Sequence, residues 1–189
     1  ALNFAIETAN TLNGEVDAIT TFSLSDGATI NGGDESDFRA LLTNVENDQV
    51  TITNQTLTVD TGTLSVGTYN ELDATTKGTI TATIEPSSVA SLTTLTGTNT
   101  YTITIEGTDA TAATASQLTA ISNATTVAVD ASAVSGLAAD NLSNIETLLI
   151  AGDDTTLFTA DSFSLLEAIA VSDSTLDVSD LNDAIALAN

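Results

Sequence analysis

The sequence has no Cys, His, Met or Trp, a single Pro, and only two basic residues, Arg39 and Lys77, against 26 acids. Each gap removes a class of function. A formal charge of −24 excludes nucleic acid as a partner, because phosphate binding needs Lys and Arg to displace counterions. It argues equally against an anionic membrane surface. No run approaches the roughly 18–20 apolar residues that span a bilayer, so no membrane insertion is expected. Without His or Cys the usual nucleophile–base pairs of acyl transfer are missing. Aromatic residues, at 4%, leave few platforms for sugar rings. The chain therefore reads as a non-enzyme. The one enzymatic alternative is a carboxylate pair acting on a glycosidic bond, and nothing marks out one pair among so many acids.

What is present is order. Hydrophobic residues make up 42% of the chain and the mean hydropathy is +0.22, and Val, Ile, Leu and Thr recur regularly. That separates it from acidic disordered chains. Two basic residues leave almost no sites for trypsin-like proteases, and an acid-rich surface stays hydrated in high salt. Both suit an extracellular, cell-surface setting. With no initiator Met and no signal-peptide pattern, the chain reads as a mature or excised segment.

Apolar triplets of alternating period fall 21 residues apart at "VAV" (127–129), "LLI" (148–150) and "IAV" (169–171). Looser counterparts are "TFSL" (21–24), "VTI" (50–52), "TITATI" (79–84) and "YTITI" (101–105). Between them lie segments with three- or four-residue apolar spacing. These carry Leu118 and Ile121, Leu142 and Ile145, Phe163 and Leu166, Leu181 and Ile185, and near the start Phe38, Leu41, Leu42 and Val45. Each is led by Thr, Ser or Asp, the residues that cap a helix, and Ser143 to Glu146 fits a capping box. The middle, 54–100, reads as more strand than helix, with Pro86 ending a strand.

The expected fold is mainly β with short helices, a right-handed strand–turn–helix solenoid of the parallel β-solenoid or leucine-rich-repeat type. Residues 1–20 would form an N-terminal cap. Residues 21–189 would form one array, with approximate repeats 21–49, 50–78, 79–100, 101–125, 126–147, 148–168 and 169–189.

The spacing from Leu142 to Ile150, matched from Phe163 to Val171, resembles the leucine-rich-repeat core, although Asp153 and Ser174 replace that family's turn Asn. The Thr-, Ala- and Asp-rich texture, best carried by "TTVAVDASAVSGLAADNL" (125–142), resembles the repeat regions of large secreted cell-surface proteins of marine bacteria and cyanobacteria. That resemblance implies a surface location and a structural or adhesive role.

Stacked repeats would align the acids that follow successive strands: Asp109, Asp130, Asp153 with Asp154, and Asp173. Carboxylates about 4.8 Å apart repel by roughly 1 kcal/mol in water and more near protein. Calcium would relieve that repulsion, making these acids the candidate Ca2+ ligands. The bland alternative is acids fanned into water, and "GGDESD" (32–37) is explained more simply as a helix N-terminus. Asn54, Asn123 and Asn141 head sequons and are candidate glycosylation sites. The expected function is a structural protein whose copies assemble into a filament, sheath or surface layer, with "ALNFAI" and the C-terminal helix as contact segments. The alternative is an adhesin or viral fibre module that recognises glycan or another surface protein through an exposed Tyr69 or Tyr101.

Overall fold

The computed structural model describes residues 2, 5, 8, 21–105 and 113–188. It divides into two compact units, residues 1–83 and 84–189. The expected N-terminal cap lies almost wholly outside the described residues, as does Asp109.

In the first unit, β1 (Phe22–Ser23) pairs in parallel with β3 (Val50–Thr51). A second parallel set joins β2 (Thr29–Asn31), β4 (Thr56–Thr58) and β5 (Ile80–Thr83), aligning Ile30 with Leu57 and Leu57 with Ile80. Helix α1 (Glu35–Glu46) starts where the sequence says it should. The Asp34 carboxylate accepts from the Ser36 and Asp37 amides, and Phe38, Leu41 and Leu42 point inward at helical spacing. Helix α2 (Val66–Thr75) packs beside it, with Val66, Tyr69 and Leu72 buried. The turn before β4 is held from within. The Oε1 of buried Gln55 accepts from the Thr53 amide at 2.6 Å, its Nε2 donates to the Ser25 carbonyl at 3.0 Å, and Thr76 Oγ1 donates to its carbonyl at 2.7 Å. Buried turn polar groups are thus paired, as they must be.

The second unit holds α3 (Val89–Leu92), β6 (Thr100–Thr102), α4 (Ala115–Asn123), β7 (Gly136–Asp140), α5 (Leu142–Gly152), β8 (Ala168–Val171) and α6 (Val178–Leu187). Strands β7 and β8 are parallel, with Gly136 opposite Ala168 and Leu137 opposite Ile169. Single parallel bridges link Asn99 to Thr125, Thr104 to Asp130 and Val129 to Phe158. Helices α4 and α5 pack together, as do α5 and α6. Tyr101, Ile103, Leu118, Ile121, Val129, Leu148 and Phe158 form the core.

The fold is α/β with parallel sheets, 36% helical, with six helices among the described residues. It is not the mainly β, right-handed solenoid that the repeats suggested. The strands fall into separate short sets, and the 21-residue echo proves not to be structural equivalence. "LLI" (148–150) lies inside α5, because Leu142, Ile145, Leu148 and Leu149 continue one helical stripe. Its echo from Phe163 to Val171 is turn followed by β8. There Asp154 Oδ1 accepts from the Thr156 amide, and Ser162 Oγ donates to the Val129 carbonyl and accepts from the Ala131 amide. Such hydroxyl and carboxylate bonds offer the backbone an alternative to helix. Phe163 then sits at φ 63, a left-handed conformation that stops helix propagation.

Candidate functional site

The acids chosen as calcium ligands serve different local tasks. Asp130 Oδ1 accepts from the Ser132 amide at 3.0 Å. Asp153 is the C-cap of α5. Asp154 accepts from the amide and hydroxyl of Thr156, which hold its carboxyl below the usual range. Asp173 Oδ2 accepts from the Leu142 amide, the first of α5, at 2.6 Å. Asp173 therefore stands at one end of α5 and Asp153 at the other, separated by about 16 Å for an 11-residue helix. A stacking column would have set them near 4.8 Å. No group of three or more acids able to hold a metal ion occurs among the described residues.

A different use of acids emerges, invisible in local sequence. Asp140, at the end of β7, joins the N-termini of two helices. Its Oδ2 accepts from the Ser116 amide of α4 at 2.9 Å, and its Oδ1 accepts from the Asn141 amide and the Asn144 side chain, both at 2.8 Å. Partial burial raises its pKa, but the Ser116 amide, the Asn144 amide group and the Asn141 amide outweigh this and hold it at about 2. Helix α4 adds its own capping box, Thr114 with Gln117, whereas α5 is capped by Asn141 rather than through the Ser143–Glu146 box expected.

The first unit repeats the device. Burial pushes the Glu35 carboxyl up, but hydrogen bonds from Thr68, Ser65 and Arg39 bring it below its ordinary value. Its Oε1 accepts from the hydroxyls of Ser65, at 2.7 Å, and Thr68, while Oε2 accepts from the Ser65 amide at 3.3 Å. Arg39 closes the cluster at 2.9 Å, the one salt bridge among the described residues. The N-termini of α2, α4 and α5, each a natural anion site, are thus already occupied by the chain's own carboxylates.

The Asp140 pKa sets a stability window. Because its folded value lies below the ordinary 3.8, its contribution is complete above about pH 4 and is lost as pH falls through about 2. Asp140→Asn is expected to lower stability by about 1–2 kcal/mol at neutral pH, allowing for solvent screening of a half-buried group. The difference from the parent should vanish near pH 2 in urea titrations followed by circular dichroism.

Tyr69 and Tyr101 are fully buried, and Tyr101 donates its hydroxyl to the Ala124 carbonyl. Neither offers a ring to a sugar, so the glycan-recognition reading loses the aromatics on which it depended. Asn54 in a turn, Asn123 at the end of α4 and Asn141 at the α5 cap are all exposed.

One surface feature is apolar, and it includes the C-terminal helix that the sequence offered as a contact segment. Among the described residues, the exposed large hydrophobics are Ile150, Leu165, Leu176, Val178, Ile185 and Leu187. All fall within one stretch of 38 residues. There, a groove of about 430 Å3 runs between α5, β8 and α6, lined by Leu149, Phe163, Leu166, Ile169 and Leu187, with Asp153 and Glu167 among its polar walls. Helix α6 buries only Ala184. The signal for it in the sequence was the apolar spacing of "LNDAIALAN". The chain matches no family model, and no curated protein or solved structure is detectably similar to it.

Proposed function

We propose that the protein is a non-enzymatic structural component of an extracellular assembly, a filament, sheath or surface layer, held in place by protein–protein contact. The observation that carries this reading is that, among the described residues, the exposed large hydrophobics all fall within residues 150–187, where Leu187 also borders an apolar-floored groove. Single exposed apolar residues mean little, but a groove with an apolar floor is the kind of feature that docks a partner. Support comes from the strand edges. Strands β1, β2 and β8 each have a partner strand on one side only among the described residues, an edge to which a strand of another copy can add.

The electrostatics predict when copies come together. At low salt a charge of −24 keeps them apart. At about 1 M NaCl, where the screening length is about 3 Å, they are expected to associate, with fibres or lattices visible by electron microscopy and fast-sedimenting species by ultracentrifugation. Dispersed monomers at every salt concentration, with and without added calcium, would defeat self-assembly and favour a binding module for another surface protein.

A further inference from the structure

The groove between α5, β8 and α6 has a charge environment that selects its occupant. Residues 84–189 contain fourteen acids and no Lys or Arg, and eight of those acids lie between 153 and 183. Asp153 and Glu167 border the cavity itself, while Asp173, Asp177, Asp180 and Asp183 are exposed on and beside α6. Apolar side chains line the centre: Leu149, Phe163, Leu166, Ile169 and Leu187. The groove therefore has an apolar floor bordered by two carboxylates, in a unit that has no Lys or Arg to soften them.

We infer that this groove docks a basic amphipathic segment of another protein chain, one whose apolar side chains fill the cavity while its Lys and Arg face the surrounding carboxylates. The inference rests on the reading of this face as a docking surface and names its partner. A second copy is the poorer fit. Laying one such unit on another sets fourteen negative charges against fourteen overall, with Asp153 and Glu167 of each copy at the contact, where like charges repel more strongly than in water. The chain's two cations do not cure this, since Arg39 is already paired with Glu35, leaving Lys77. A cationic segment reverses the sign of every long-range term, which speeds encounter and fixes orientation, while apolar burial supplies the residence time. In an assembly of like-charged copies, such a segment would act as the linker that ties each copy in.

The groove itself is preorganised. Phe163 holds its left-handed backbone at φ 63 with its ring edge-to-face on Phe158, centroids 5.0 Å apart, and its ring edge lies close over Gly152. A wall fixed in this way needs little reordering when a ligand arrives.

The test uses the full chain and a synthetic Leu/Lys amphipathic peptide, with its Leu/Glu counterpart as control, in fluorescence anisotropy at low salt and at about 1 M NaCl. The chain is compared with Leu187→Asp and with Ile169→Thr. Leu187 is 38% exposed near the end of α6, so its replacement leaves the fold intact, checked by circular dichroism. Expected are saturable binding of the Leu/Lys peptide at low salt, none of the Leu/Glu peptide, and at least a tenfold loss for Leu187→Asp. That loss would occur even though the added carboxylate increases the electrostatic attraction, which isolates the apolar contact. Peptide binding indifferent to both substitutions would be general charge attraction and would overturn the groove as the site. Self-association that Leu187→Asp abolishes would make a second copy the occupant, overturning this inference while leaving the assembly reading intact. Absence of both peptide binding and self-association at either salt concentration would overturn the two together.

Discussion

Gly78→Ala is expected to destabilise the first unit by about 2–4 kcal/mol, although the change adds one methyl group at a loop position. A Cβ at Gly78 would overlap the carbonyl of Gln55 and stand 2.8 Å from the Asn54 carbonyl oxygen. Both are backbone atoms, and neither is free to move. The Gln55 carbonyl accepts from Thr76 Oγ1, that hydroxyl accepts from the Gly78 amide at 3.0 Å, and the Lys77 amide donates to the Thr53 carbonyl at 2.7 Å. Any shift that makes room for the methyl must break part of this buried latch, leaving Gln55 or Thr76 without partners. Gly67→Ala is the control. Gly67 is exposed in α2 with nothing near its absent Cβ, so the same chemical change should stabilise by about 0.5 kcal/mol through helix propensity. Opposite movements of the urea midpoint would show that the effect comes from the close approach at Gln55. A Gly78→Ala midpoint within error of the parent would mean that the turns at 53–55 and 76–78 are not packed as described.

That latch also shows where legibility in the sequence ends. Helices α1, α4 and α6 were readable because Asp34, Thr114 and Asp177 sit at their starts and apolar residues follow at three- and four-residue spacing. Helix α2 was not. "VGTYNELDAT" carries Val66, Tyr69 and Leu72 at a clean three-residue interval, but Gly and β-branched Thr around them suggest strand and turn. Tertiary burial of Tyr69 and Leu72 overrides that local preference. Helix α5 was readable at its start and misread at its end, since a three-residue apolar run has no period of its own. The Ser65 hydroxyl caps α2 and is itself held by Glu35, thirty residues earlier. The partners of Asp140 at Ser116 and of Asp173 at Leu142 are similarly remote. An acid beside its own helix start is visible in sequence. An acid that serves another element's helix start, as Asp173 does for α5, is not.

The second large effect is expected at Phe158, a residue that no repeat pattern picked out because it lies in the turn-rich segment "DDTTLFTADS". Phe158→Ala should cost the second unit about 3–5 kcal/mol. The ring is fully buried, and on either side the backbone is tied to Val129 by the Val129 amide to the Leu157 carbonyl and the Thr159 amide to the Val129 carbonyl, both at 2.9 Å. The cavity therefore cannot close by collapse of the segment without breaking those bonds. Phe158→Leu, which keeps most of the volume, should cost nearer 1–1.5 kcal/mol. A double-mutant cycle with Phe163→Leu should return a coupling of about 0.5–1.5 kcal/mol for the edge-to-face pair. The consequence extends to the surface. Phe163 keeps an unfavourable left-handed backbone, worth about 1–2 kcal/mol, while its ring packs edge-to-face on Phe158. Once the Phe158 ring is gone, Phe163 is free to relax, and the wall of the groove goes with it. Phe158→Ala should therefore weaken binding of the Leu/Lys peptide even below its unfolding midpoint, where circular dichroism still reports a folded chain. Undiminished binding by that variant would show that the groove does not depend on the Phe158–Phe163 contact, and that its shape is set by α5 and α6 alone.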